Sequence, residues 1–479
     1  MLKSAVCIFV ILILASVAVK VSAEPLSETV RETMKKAADF MMNTVSTHGG
    51  FVWQYSEDLS ERWGEIPARE TQIWTYGPST PYMGELFLDV YRTTGDEQYL
   101  RYAERVADVL IWGQHPEGGW HYLIDFDMTG ISEYYENVAS RCWGWEEYYH
   151  YYGNCTFDDH ATEAPTRYLM DLYTTTFNPV YREPLLKALN FILKAQFPNG
   201  AWPQRYPLMY EHVFQGIPDY TSYYTFNDNV IKNNIILLVD AWRKLGNEDY
   251  WKAAQRGMNF YIISQLAPPQ AGWAEQYNHD MEPAQARSYE PASVMARQAV
   301  WSINDLLTFY RITGDRRYLA PIPNAIQWLE DSRTGFETGG NTHARYYKIR
   351  SNIPFYVEKT GTSIDNGKYV ITTREGYTTW RIDIDSIRKR YQEVSALNPE
   401  QAKASFWGRD DNLEALPRTD TDTVKSVISL IDYRGAWITM IHIPNYEDPS
   451  KDGYDIRGIN IGVFIKNMRI LAGYVDQQR

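Results

Sequence analysis

The chain predicts a mainly α fold: an α/α toroid, an incomplete barrel of helical hairpin repeats with long loops and a few short β-strands. Three observations carry this. A short turn motif recurs, amphipathic stretches follow it, and a glycine–aromatic turn closes the unit. Thr94-Gly-Asp-Glu-Gln-Tyr-Leu100 returns as Thr313-Gly-Asp-Arg-Arg-Tyr-Leu319, with looser copies at Leu245–Trp251 and Thr176–Tyr181. Leu185, Leu186, Leu189, Ile192 and Leu193 then fall on one helix face. The closing turns are Gly118-Gly-Trp120, Gly200-Ala-Trp202 and Gly272-Trp273, with Gly49-Gly-Phe-Val-Trp53 as an earlier copy. Paired helices with a period of roughly 70 to 80 residues stack into rings or superhelices.

In chain order, Met1 to Ala23 reads as a secretory signal. Lys3 gives the positive start, Ala5 to Val19 is apolar, and Val21-Ser-Ala23 is a small-residue cleavage site. The apolar run is short for a membrane span. Residues 24–140 form N-terminal helical repeats, 141–396 the core that carries the chemical motifs, and 397–479 C-terminal helices that close the array. Tyr369–Thr373 and Thr378–Asp383 alternate like short strands. Ile387–Val394 returns to helix, Ala396–Thr421 is a polar loop, and Val424–Trp437 and Ile459–Val475 read as two more helices.

The 479 residues hold 47 Lys+Arg against 60 Asp+Glu, a net charge of -13. Loss of Lys3 and Lys20 with the signal leaves 45 against 60, or -15. That excludes a generic nucleic-acid binder, which needs a basic face. It permits an anionic substrate where a cation or local arginines bridge the like charges. Hydrophobic residues at 44% supply an ample core. The 37 Tyr and 16 Trp serve that core and also suit sugar faces. After Cys7 leaves with the signal, Cys142 and Cys155 remain, as a bridge or as two buried thiols. Asn154-Cys-Thr156 is a glycosylation acceptor in a eukaryotic host.

Acidic and amide clusters stand at helix starts. Asp158-Asp-His-Ala-Thr-Glu163 precedes one helix and Thr225-Phe-Asn-Asp-Asn229 another. One residue of each cluster suits a helix N-cap. The surplus oxygens suit a hard cation such as Ca²⁺. Glu282-Pro-Ala-Gln-Ala-Arg287-Ser-Tyr-Glu290 follows Trp273-Ala-Glu-Gln-Tyr277, and His343-Ala-Arg345-Tyr-Tyr347 has a similar local form. Lys348, Arg350 and Lys359 come after it. Guanidinium groups grip carboxylates in bidentate fashion, so this basic grouping suits an anionic substrate.

Read together, these residues resemble the pectate lyases of polysaccharide lyase family 10. The family's D-N-G-A-T stretch is similar to Asp158–Thr162, its N-G-G-W-P-Q-x-Y-P-L to Asn199–Leu208, and its T-F-N-D-D to Thr225–Asn229. Its W-x-x-Q and P-x-x-A-R-x-Y-E match Trp273–Gln276 and Pro283–Glu290. Its A-R-F-Y and N-x-P-x-F resemble Ala344–Tyr347 and Asn352–Phe355. The resemblance runs from about Cys142 to Val394. It implies Ca²⁺-assisted anti-β-elimination on polygalacturonate or a related polyuronate, leaving 4,5-unsaturated ends. It further implies Asp158 and Asp228 as cation ligands with Asp159 and Asn227 beside them, and Arg287 as the group that takes the C5 proton. Arg345 would bind a substrate carboxylate, and Lys359 stands where the family has another arginine. Trp202, Tyr206, Tyr289 and His160 are the further candidates for substrate contact. A guanidine is a poor base near neutrality, so a clamp role for Arg287, with hydroxide or His160 taking the proton, stays open. His160, Asn229, Asn278, Lys359 and Ala201 depart from the family pattern. The expected partner is an acidic polysaccharide, with no nucleic acid and no membrane after signal cleavage. The expected state is a monomer, secreted or periplasmic. Two other readings share the motifs: a toroidal glycoside hydrolase using Asp158 and Asp228, and a non-catalytic glycan binder.

Overall fold

The computed structural model describes residues 26–478 apart from 128–129, 144–145, 149–150, 210–218, 335–341, 361–367, 373–378, 409–415 and 449. The signal expected over Met1–Ala23 lies outside the described residues. The helices are α1 (Leu26–Phe40), α2 (Thr80–Thr94), α3 (Glu97–Trp112), α4 (Ile131–Asn137), α5 (Glu163–Thr176), α6 (Arg182–Ala195) and α7 (Val230–Leu245). They continue as α8 (Glu248–Ile263), α9 (Ala296–Thr313), α10 (Ile322–Asp331), α11 (Ile384–Ser395), α12 (Pro399–Trp407), α13 (Thr421–Ser429) and α14 (Ile461–Gln477). No described helix is long and apolar enough to cross a membrane.

The recurring turn motif folds the same way at each copy. Gly95, Gly246 and Gly314 end α2, α7 and α9 in the left-handed conformation. Asp96, Asn247 and Asp315 then cap the next helical segment with their side chains. The loose copy keeps the geometry at a cost. Phe177 takes the glycine position with φ 50°, and its ring is exposed.

Neighbouring hairpins pack side by side through α14, α2, α5 and α7, with α1, α3, α6 and α8 outside them. This is the expected α/α toroid. The glycine–tryptophan turns lock the ring. The indole N–H of Trp120, Trp202 and Trp273 donates to the Leu110, Ile192 and Tyr261 carbonyls at 2.8, 2.9 and 2.9 Å. Each therefore satisfies a carbonyl near the end of its own outer helix. The preceding glycine touches the next outer helix. A Cβ on Gly200 would sit 2.1 Å from the Arg256 carbonyl oxygen of α8. A Cβ on Gly435 would sit 2.6 Å from the Lys36 carbonyl oxygen of α1, so the last turn closes on the first helix.

That last turn corrects the expectation of a helix over Val424–Trp437. Helix α13 stops at Ser429, and Trp437 repeats the tryptophan bond, to the Val427 carbonyl at 2.9 Å. Strand Ile438–Ile443 follows and pairs with Tyr454–Asn460. That strand in turn pairs with Gln54–Ser56 near the chain start. The loop expected over Ala396–Thr421 also contains α12, whose capping box joins Asn398 and Gln401. Strands Lys368–Thr372 and Thr379–Arg381 stand close to where alternation put them.

Candidate functional site

The two acidic clusters fold alike. Asp158–His160 and Asn227–Asn229 each make a single tight turn just before an inner helix, α5 or α7. Asp159 and Asp228 carry positive φ, 48° and 50°. Asp and Asn tolerate this conformation better than most residues. The turns touch one another, and Asp228 comes within hydrogen-bond reach of Asp158.

Arg287 lies between them, 3% exposed, with every guanidinium nitrogen engaged. Its Nε donates to Glu147 at 2.9 Å, and Nη2 to Asp158 Oδ2 at 2.8 Å. Its Nη1 donates to both Glu290 oxygens at 3.2 and 3.3 Å and stands 3.7 Å from Asp228. Tyr122 and Gln204 also donate to Asp158 Oδ2, at 2.5 and 2.7 Å. Asn227 donates its amide to Glu290 at 3.0 Å. Glu146 fixes the same segment by accepting from the Ser288 N–H at 2.8 Å.

The electrostatics follow from this cage. Burial alone would ease the proton off Arg287, but the charges of Glu147, Glu290 and Asp158 outweigh it and hold the guanidinium charged far above its ordinary range. Asp158 is also fully buried, yet Arg287 and the hydrogen bonds from its neighbours bring it below the usual carboxylate range. Asp159 and Asp228 go the other way. Burial, and then the charge of Asp158, push both well up.

The oxygens around the two turns suit a hard cation. Asp158 Oδ1 is buried and has no donor. Asp159 and Asp228 beside it are destabilised as anions by burial and by Asp158, and a positive charge held there would relieve this. This chemistry fits Ca²⁺. Among the described residues no three His, Cys, Asp or Glu side chains converge on one point.

The other expected site residues divide. His160 stands at the lip, 39% exposed, with Nδ1 3.0 Å from Glu163. Arg345 is 23% exposed and 3.7 Å from Glu275. Tyr289 is half-buried and adjoins Arg287 and Glu290. Lys359 lies on strand Pro354–Thr360 opposite Tyr369, and its side chain is outside the described residues. Trp202 needs correcting. It is wholly buried and hydrogen-bonded to α6, so no sugar reaches it. Tyr206 needs correcting too. It points oppositely to Arg205 along their strand, toward Phe191 and Lys194 of α6. Arg205 points inward, donating to the Glu147 carbonyl at 3.2 Å. The cysteines are free and buried. Asn154 is buried and donates to the Pro207 carbonyl at 2.9 Å, so the glycosylation acceptor is closed off.

Glu147, Tyr122, Gln204 and Glu275 were not singled out from the sequence. A signal for three of them exists. Tyr122, Gln204 and Glu275 each stand two residues after a turn tryptophan, and Arg345 stands two after His343. His343 fills the tryptophan position, its ring nitrogen 2.7 Å from the Leu329 carbonyl. Position two of these four turns thus joins the Arg287 cage or the Glu275–Arg345 pair beside it. Glu147 has no such repeat signal.

A helical toroid thus encloses a buried carboxylate–guanidinium cage. A model of the pectic acid lyase family matches residues 143–386, half of the chain. The chain belongs to that family and is a pectate lyase, acting on an acidic polysaccharide. Among solved structures, it is similar to a family 10 polysaccharide lyase from Cellvibrio cellulosa, 18% identical over 65% of this chain and 91% of that one, with TM-score 0.39. A D-mannose isomerase is 13% identical over 96% and 100%, with TM-score 0.43. A family 76 glycoside hydrolase from Bacteroides thetaiotaomicron is 10% identical over 95% and 100%, with TM-score 0.42. At such identities and scores these likenesses bear on neither substrate nor mechanism. None of the curated proteins matches the chain.

Proposed function

We propose that the enzyme cleaves polygalacturonate or a related polyuronate by Ca²⁺-assisted anti-β-elimination. The C5–H and C4–O bonds break, a C4=C5 double bond forms, and the departing oxygen is protonated by solvent. The observation that carries the reading is the pair of acidic turns closed around Arg287. Asp158 Oδ1, Asp159 and Asp228 are the residues that would hold the cation, leaving its other positions to substrate carboxylates and water. Bound there, Ca²⁺ supplies positive charge against the uronate carboxylate and the enolate-like charge that develops.

Arg287 acts in this scheme as a fixed cation. As a base it would first have to lose a proton, and the Glu147, Asp158 and Glu290 carboxylates oppose that loss. Its Nη1 faces Asp228, which is 34% exposed and forms the open edge of the cage. Hydroxide from solvent takes the C5 proton, so turnover rises with pH. The hydrolase reading loses support from the same geometry. An acid–base pair flanking a sugar needs its carboxyls about 5 Å or more apart, whereas Asp158 and Asp228 lie within hydrogen-bond reach. The chain is proposed to act as a secreted or periplasmic monomer, on the signal-like Met1–Ala23 segment.

A panel of uronate polymers, assayed with and without chelator, tests the scheme. Unsaturated product absorbing near about 235 nm is expected on polygalacturonate. Chelator should abolish it and Ca²⁺ restore it. Undiminished turnover in excess chelator would sink the cation role, and saturated products alone would sink elimination.

A further inference from the structure

The repeat places one more residue in the cleft. The backbone N–H of Thr156, Thr225 and Met295 each donates to the carbonyl of a turn tryptophan, Trp120, Trp202 or Trp273, at 2.8, 3.0 and 3.0 Å. These three positions are therefore equivalent in successive hairpins. Two residues further on stand Asp158, Asn227 and Arg297. The first two build the acidic turns. Arg297 is their counterpart on the first turn of α9.

Its surroundings are those of a cation lacking an anion. Arg297 lies over Trp301 at 4.4 Å and over Trp380 at 4.2 Å, so two indole faces hold the guanidinium. Among the described residues no carboxylate comes within ion-pair distance of it. Its nearest charged neighbours are Arg345 and Glu275. Among the described residues Glu275 acts on both arginines and stands 3.7 Å from Arg345, on which Glu290 acts as well. Burial, then the nearby Glu290 charge, push Glu275 up to about 7. The Nε–H of Arg345 and the indole N–H of Trp380 are buried without an acceptor. The cluster thus keeps two buried donors unpaired. A positive charge in the first turn of α9 also runs against the helix dipole.

We propose that Arg297 and Arg345 together bind a uronate carboxylate of the polymer, at a subsite beside the Arg287 cage, with Trp301 and Trp380 fixing the Arg297 plane. This rests on the reading of the substrate as a polyuronate. The carboxylate supplies the acceptors that the cluster lacks, and the two like charges then share one counter-ion. Arg297 is a substrate-binding residue here and takes no part in bond breaking.

Tryptophan fluorescence titrations with a galacturonate trimer, and with the same trimer fully methyl-esterified, read this directly. Arg297→Met is expected to weaken trimer binding by about tenfold or more, in line with loss of a charged hydrogen bond. It should raise KM on polygalacturonate similarly and hold kcat within about threefold. Its preference for the trimer over the ester should shrink against that of the wild type. Arg297→Lys keeps the charge but not the planar face. An intermediate loss is expected, and this variant decides the matter if Arg297→Met does not fold. Unimpaired trimer binding by either folded variant, in an enzyme that still turns over polygalacturonate, overturns the subsite alone. So does an equal loss on trimer and ester. A wild-type protein that binds neither trimer nor polymer and releases no unsaturated product overturns the polyuronate reading and the subsite with it.

Discussion

Asp158 and Arg297 stand at the same position of two hairpins two units apart in the ring, and their charge environments are opposite. Around Asp158 the carboxylates outnumber the cations. Arg287 alone faces Glu147, Asp158, Glu290 and Asp228. Around Arg297 no carboxylate is in ion-pair distance among the described residues, Arg345 stands beside it, and Glu275 acts on both arginines while Glu290 acts on Arg345. One side calls for a cation and the other for an anion. An acidic protein thereby handles an anionic polymer without a basic surface. On the proposed reading, the acidic side repels the polymer unless a cation intervenes, and the arginine side draws it.

The contrast breaks most severely at Arg287. Arg287→Met leaves buried carboxylates with no counter-charge, at a cost of about 3–5 kcal/mol by the behaviour of broken buried pairs. Turnover should fall by more than about 10²-fold. A folded variant with near-normal kcat would show that the cage is not the reacting site. Trimer binding through the Arg297 cluster should survive better than turnover does, and equal losses would mean that the two sides are one site.

A smaller effect comes from pH. Asp159 and Asp228 are pushed well above the ordinary carboxylate range in the folded protein. Between the ordinary range and the folded values, the native state holds protons that the unfolded chain has lost. Stability contributed by these groups is therefore lost as pH rises through the folded values. In chelator, Tm should drop with rising pH over that window, and Ca²⁺ should flatten the drop. A cation-independent Tm profile would count against the acidic side as a cation site.

The smallest expected effect separates the cleft from the frame that holds it. Trp202→Phe removes the indole donor to the Ile192 carbonyl and part of a buried ring. It should cost about 1–3 kcal/mol of stability. Below the melting range KM should not change. A raised KM would return Trp202 to the substrate contacts.

The repeat was legible because it is local. Gly95-Asp96 and Gly314-Asp315 turn the chain wherever they occur, since a left-handed glycine and a capping acid need no distant partner. Trp437 was missed because its turn, Arg434-Gly-Ala-Trp437, follows a helix that ends sooner than its apolar pattern suggests. Strand Ile438–Ile443 was missed because its partners, Tyr454–Asn460 and through them Gln54–Ser56, lie across the ring closure.

The sequence by itself determined the toroid and the family, and singled out Asp158, Asp228, Arg287 and Arg345 as candidates. These rest on short-range patterns and on motif order, which survive in one dimension. Only the tertiary structure decided which residues share a charge. Glu147 stands 140 residues before Arg287, yet accepts from it at 2.9 Å. Trp202 and Asp158 belong to equally distinctive motifs and both are fully buried, but one is bonded to its own helix and the other to Arg287. Side-chain direction and counter-ion balance depend on how successive hairpins turn their edges to a common centre, and no spacing along the chain encodes that distance.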